Sequence, residues 1–247
     1  MRNNVHPGLL KSRIKLAAIA MVLAVAVTTR SVAQEQTEVF VLSTLHQHHG
    51  EDNTYTFKKL SEIVESYRPD VIAVELTAAD LENRKEQKTK QEYQNSIFPT
   101  ADKLEAKMVP LEPAEPEFSE LVGLNSASDS ELREQHPDAA DAFSKFIDSL
   151  YGYLFSYWKS AAEVNSNRTD AFFEVKHSYQ NELFGEKQKL AWEGWNTHFL
   201  ETVLEAVKAN PGQRIIVIVG AEHSYWLRKK LREQEGVKLI EPESVLR

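Results

Sequence analysis

Five titratable side chains stand directly behind apolar, strand-like runs: His46, Glu75, Glu112, Glu222 and His223. In an open parallel α/β sheet, ligands bind outside the carboxyl ends of the strands. Four such strands would bring these groups to one edge. Histidine and carboxylate together can ligate a divalent cation or work as a general acid–base pair. Glu75 continues an otherwise apolar run, where a carboxylate is costly unless it is paired or metal-bound. Glu222 and His223 open a helix, whose free N–H groups favour anions. The chain has no cysteine. Thiolate nucleophiles, disulfides and Cys-ligated metals are thereby excluded. Any metal must be held by His, Asp or Glu, and any nucleophile must be water, Ser, Thr or a carboxylate.

The elements that must position these groups alternate. Val39–Leu42 predicts a first strand, apolar on both faces as helices on both sides require. A helix follows over 54–67, ended by Arg68-Pro69-Asp70. Val71–Val74 is the second strand, so this is a βαβ unit with parallel strands and a right-handed crossover. The charged run 80–92 reads as a solvated helix. Met108–Leu111 is a short third strand whose proline suits an edge. Residues 112–137, rich in Pro, Glu and Ser, read as a long surface loop. Helices are expected over 138–164 and 186–209, each with an aromatic stripe. Ile215–Val219 is the most apolar strand and belongs at the sheet's centre. A helix over 224–234 and a strand over 237–240 complete the chain. The fold class is α/β, with a mostly parallel sheet flanked by helices and a helical insertion between strands three and four.

Asn196 falls on the apolar stripe of the 186–209 helix, between Trp192 and Phe199. A buried Asn needs partners, so it either ties strand ends together or faces the site. His48, His49, His177 and His198 are expected on the surface.

Residues 1–33 carry an export pattern. Arg2, Lys11, Arg13 and Lys15 form a basic leader, Leu16–Val27 is an apolar run, and Ser31-Val32-Ala33 offers small residues for cleavage. Twelve apolar residues are short for a membrane span, which needs about 20. The alternative is an uncleaved anchor, which would be the chain's single membrane attachment. Cleavage after Ala33 leaves 34–247 as one α/β domain, exported to the periplasm or secreted. Loss of the leader's five basic residues takes the formal charge from −8 to −13. That acidity argues against nucleic acid and against anionic membrane as partners.

Ser43-Thr44-Leu45-His46, Val74-Glu75-Leu76 and Gly220-Ala221-Glu222-His223 together resemble the TraB/GumN/Tiki superfamily. ChaN-like haem-binding proteins and erythromycin esterases are its distant relatives. The family pattern is Gly-x-x-His, Val-Glu-Leu and Gly-x-x-His behind three strands. Ser43 stands here where the first glycine would be. Asn196 matches one member of a polar pair that often precedes the last motif. The resemblance covers both ends of the domain and fades through 114–185.

The resemblance implies a site of His46, Glu75 and His223, holding a divalent metal (manganese or cobalt, with zinc a further option) as in Tiki-type proteases. Asn196, Glu112 and Tyr93 would contact substrate. The reading is an exported hydrolase of peptide or amide bonds, with a peptide or small-molecule ligand. The alternative is a non-catalytic binder of haem, iron or a small ligand at the same edge, drawing on Tyr93 or the His46–His49 cluster.

Overall fold

The computed structural model describes residues 36–50 and 54–246. The expected export signal and cleavage after Ala33 fall outside the described residues.

Five parallel strands form one open sheet: β1 (Thr37–Thr44), β2 (Val71–Val74), β3 (Lys107–Pro110), β4 (Arg214–Gly220) and β5 (Val237–Ile240). Their order is β3-β2-β4-β1-β5, so β4 is central, and Pro110 lies on the edge strand β3. β1 and β2 share a direction but do not pair. β4 lies between them, with Val39 and Val71 both opposite Ile215.

The apolar residues of β1, β2 and β4 alternate between two cores. Phe40, Leu42, Ile72, Val74, Ile216 and Ile218 face one; Val39, Val41, Val71, Ala73, Ile215 and Val217 face the other. The first core is closed by α1 (Phe57–Tyr67) and α3 (Phe98–Leu104), with parts of the helical insertion. A short helix, α2 (Ala78–Glu82), lies between these two.

The insertion between β3 and β4 comprises α4 (Glu117–Gln135), α5 (Pro137–Tyr157), α6 (Ala161–Val164), α7 (Asn167–Phe184) and α8 (Glu186–Ala209). The second core is closed by α8 and α9 (Ala221–Leu231), through Phe199, Val203, Leu227 and Leu231. A last turn, α10 (Pro242–Val245), ends the described chain. Among the described residues no helix is long and apolar enough to cross a membrane.

Three expected elements differ. The stretch 112–137 is not a loop, because α4 occupies most of it and packs along α8. Its apolar signal is faint, since it buries only Leu121, Ser128 and Leu132. The run 80–92 is helical only over α2; the chain then turns inward and buries Glu92. The single helix expected over 138–164 breaks at Trp158, which is extended. Its indole N–H donates to Thr169 Oγ1, and Ser160 caps α6 as a fresh start.

Two histidines expected at the surface are core residues. His49 accepts from Leu45 N and donates Nδ1–H to Tyr55 O, which satisfies both ring nitrogens. Burial outweighs that second bond and lowers His49 to about 4. Burial likewise lowers His177 to about 4, against the pull of Glu222.

A histidine depressed in the folded state binds fewer protons than in the unfolded chain. Stability is therefore intact above the ordinary value of 6.5 and falls with pH until about 4. Each histidine contributes a slope of up to about 1.4 kcal/mol per pH unit. Urea unfolding between pH 7 and pH 4.5 is expected to show this decline. His49→Gln, which can keep one donor and one acceptor, should flatten it.

Candidate active site at the carboxyl edge of the sheet

The site is built around Glu75, the residue behind β2. It is 5% exposed, so its charge must be answered locally. Its Oε2 accepts from Gly220 N at 2.7 Å. Its Oε1 faces Lys90 Nζ at 3.1 Å. The same ammonium donates to the Glu75 carbonyl at 2.9 Å and to Glu112 Oε1. Burial alone would raise the Glu75 carboxyl. The charges of Lys90, His46 and His223, with the Gly220 N–H, outweigh burial and hold it down at about 2. Lys90 is pushed up in return, because two carboxylates overcome its own burial.

His46 follows β1 through a strained backbone, with φ of 51°. Its Nδ1 lies 2.7 Å from Glu92 Oε1, and Glu92 is itself fully buried and bonded to Thr44 Oγ1. Nδ1–H therefore donates to the carboxylate, and Nε2 is left toward the turn at Gly220. Burial lowers His46, but the hydrogen bond and charge of Glu92, helped by Glu75, more than reverse it. The net shift is upward.

His223 lies in the first turn of α9. Its Nδ1 is 2.9 Å from Asn196 Oδ1, while Asn196 Nδ2 donates to the Trp192 carbonyl. The amide orientation thus makes Nδ1 the protonated nitrogen and leaves a lone pair on Nε2. Burial dominates here, and the pKa falls despite Glu75 and Glu222.

Gly220 lets these groups meet. A Cβ there would stand 2.7 Å from His46 Nε2 and 3.5 Å from Glu75 Oε2. Ser43 is held in a buried network. Its Oγ bonds Ser224 Oγ and accepts from Arg228, which is neutralised by Asp170.

Two cavities flank the turn. One, about 420 Å³, is lined by Glu75, Lys90, Glu112, Lys176, Trp192 and His223, among others. The other, about 460 Å³, is lined by His46, Tyr151, Phe155, Trp158, Phe173 and His223, among others. Glu222 lies between them. It accepts from Tyr151 on one side and from Lys176 and His177 on the other. His177 stacks on Trp192 at 3.6 Å, and Trp192 stacks in turn on His223.

His46, Glu75, Glu112, Glu222 and His223 are thus brought to one edge. Two expected substrate contacts are not at a cavity surface. Tyr93 is fully buried; its hydroxyl accepts from Glu75 N and donates to Ile218 O, so it fastens β2 to β4. Asn196 is fully buried behind His223 and orients it. Sequence reasoning missed Lys90, Glu92, Lys176 and His177. Lys90 and Glu92 sit in a charged run that has the composition of a solvated face, and no local pattern marks them as buried.

A divalent cation needs converging lone pairs. Both Glu75 oxygens are already engaged, by Gly220 N and by Lys90, which also holds Glu112. Among the described residues no three His, Asp or Glu side chains are placed to hold a metal.

Removing the Lys90 charge should leave two buried carboxylates facing each other. Lys90→Met is expected to cost about 3–5 kcal/mol in urea unfolding. Millimolar manganese should restore part of that loss in the variant and leave the unsubstituted protein unchanged. Gly220→Ala should displace His46 and lower activity or ligand affinity more than it lowers the unfolding midpoint. No family model, no curated protein and no solved structure matches the chain, so its geometry must carry the functional reading.

Proposed function

We propose that this protein is a hydrolase of peptide or amide bonds in which His223 is the general base and His46 the general acid. The observation that supports this is one of placement. Each ring has its Nδ1 tied from behind, by Glu92 or Asn196; His46 Nε2 lies against Gly220, and His223 lines both cavities beside that turn. Pairs of titratable groups whose surroundings push them apart are the usual sign of an acid–base division of labour. His46 is pushed toward the imidazolium and His223 toward the neutral ring.

In this reading His223 Nε2 takes a proton from water as the oxygen bonds the carbonyl carbon. His46 Nε2–H then protonates the leaving nitrogen as the C–N bond breaks. The proton left on His223 returns to His46 through solvent. Glu75 stays ionised and balances the imidazolium. Lys90 supplies a fixed positive charge at the same edge.

The likeness to the TraB/GumN/Tiki superfamily belongs to this proposal, which is written without a metal because Lys90 already answers the charge of Glu75 and Glu112. Export belongs to it as well and rests on the leader pattern of residues 1–33. The haem-binding alternative gains no support. Tyr93 and both nitrogens of His49 are committed to the protein's own backbone.

Hydrolysis of a peptide and amide library by the purified protein tests the reading. His46→Ala and His223→Ala should each lower kcat/KM by about 10²–10⁴, with chelator present or absent. The base must be deprotonated and the acid protonated. The pH profile of kcat/KM should therefore be a bell that straddles 6.5, the rising limb below it and the falling limb above. Full activity in both variants would sink the assignment.

A further inference from the structure

The two cavities differ in chemistry, and each touches a different end of the proposed acid–base pair. The cavity that contains His46 is walled by Leu45, Tyr151, Phe155, Trp158 and Phe173. The cavity that contains Glu75 and Lys90 is polar. His223 is common to both. The group that protonates the leaving nitrogen thus opens onto the aromatic side alone.

The charges of the polar cavity are already spent on one another. Lys90 is paired with Glu75 and Glu112, and Lys176 with Glu222. A charged ligand would have to compete with these pairs for their partners. A neutral donor meets no such competition. Asn125 and Gln180 line this cavity with neutral amides that can hydrogen-bond a ligand.

We infer that the two cavities are the two halves of one substrate cleft. Its substrate is a peptide with an aromatic or large aliphatic residue on the amine side of the scissile bond and a neutral, hydrogen-bonding residue on the acyl side. This rests on the acid–base reading above for its orientation. The occupancy of the aromatic cavity by an apolar side chain is separately measurable. Burying such a side chain in place of alanine is worth at least tenfold in affinity on ordinary transfer energies, about 1.5–3 kcal/mol for full burial.

Two measurements on the full chain test it. First, peptides that differ only on the amine side of the scissile bond (Phe, Leu, Ala or Asp) are compared for kcat/KM. Phe and Leu should exceed Ala by about tenfold or more, and Asp should be poorest. Phe155→Ala, which trims a partly exposed wall, should narrow the Phe-to-Ala ratio several-fold. Second, the same series with a reduced, non-hydrolysable amide is titrated by tryptophan fluorescence. The Phe peptide should bind about tenfold tighter than the Ala peptide, and Phe155→Ala should erase the difference.

Binding preference without turnover of any peptide would retain the cleft and overturn the hydrolase reading. Turnover that ignores the amine-side residue, or a preference that Phe155→Ala leaves intact, would overturn the cleft. Absence of both binding preference and turnover would overturn both.

Discussion

A single ammonium group organises the carboxyl edge of the sheet. Lys90 bridges Glu75 and Glu112, two buried carboxylates that could not share that space without a cation. Desolvating an unpaired carboxylate costs several kcal/mol, so the edge depends on this lysine being delivered there. That requirement explains the path of the chain behind α2. The segment does not run on as a surface helix. It turns back over the carboxyl ends of the strands, and Thr89 O accepts from Gln47 N to fasten it beside the His46 turn. Three residues after Thr89 the same segment places Glu92 behind His46. One stretch of chain thus supplies both the charge that holds Glu75 and the carboxylate that orients His46.

The order of the sheet gives this arrangement its reach. Because β4 lies between β1 and β2, Gly220 ends beside both His46 and Glu75. Its backbone N–H bonds Glu75, and its missing Cβ makes room for the imidazole. A sheet in which β1 and β2 were neighbours would leave Gly220 beside at most one of these groups. The helical insertion adds what the strands lack. α8 brings Asn196 and Trp192 to His223, α7 brings Lys176 and His177 to Glu222, and α5 brings the aromatic wall. The apolar stripe of α5 is therefore divided in its use. Leu150 and Leu154 belong to the core, while Tyr151 and Phe155 face the cavity.

Polarity at this edge is settled by partners rather than by exposure. His46 and His223 are both partly buried, yet they are tuned in opposite directions. The difference is the group behind each ring. A carboxylate behind His46 stabilises the imidazolium; a neutral amide behind His223 does not. His49 and His177 show the third outcome, in which burial prevails and the ring serves packing.

The amino-acid sequence by itself determined the alternation of strands and helices, the central place of 215–219, the 186–209 helix and the convergence of His46, Glu75, Glu112 and His223. These follow from local causes. Strands covered on both faces must be apolar throughout, and residues behind parallel strands must share an edge. Tertiary structure alone decided the rest. Whether the charges at 80–92 meet water or other charges, whether α4 is a helix or a loop, and whether Tyr93 and Asn196 touch substrate or backbone all depend on neighbours far away in sequence. Lys90 is 15 residues from Glu75 and 22 from Glu112; Asn196 is 27 from His223. No local period encodes such meetings, because a buried ion pair is identified by its partner and not by the residues beside it.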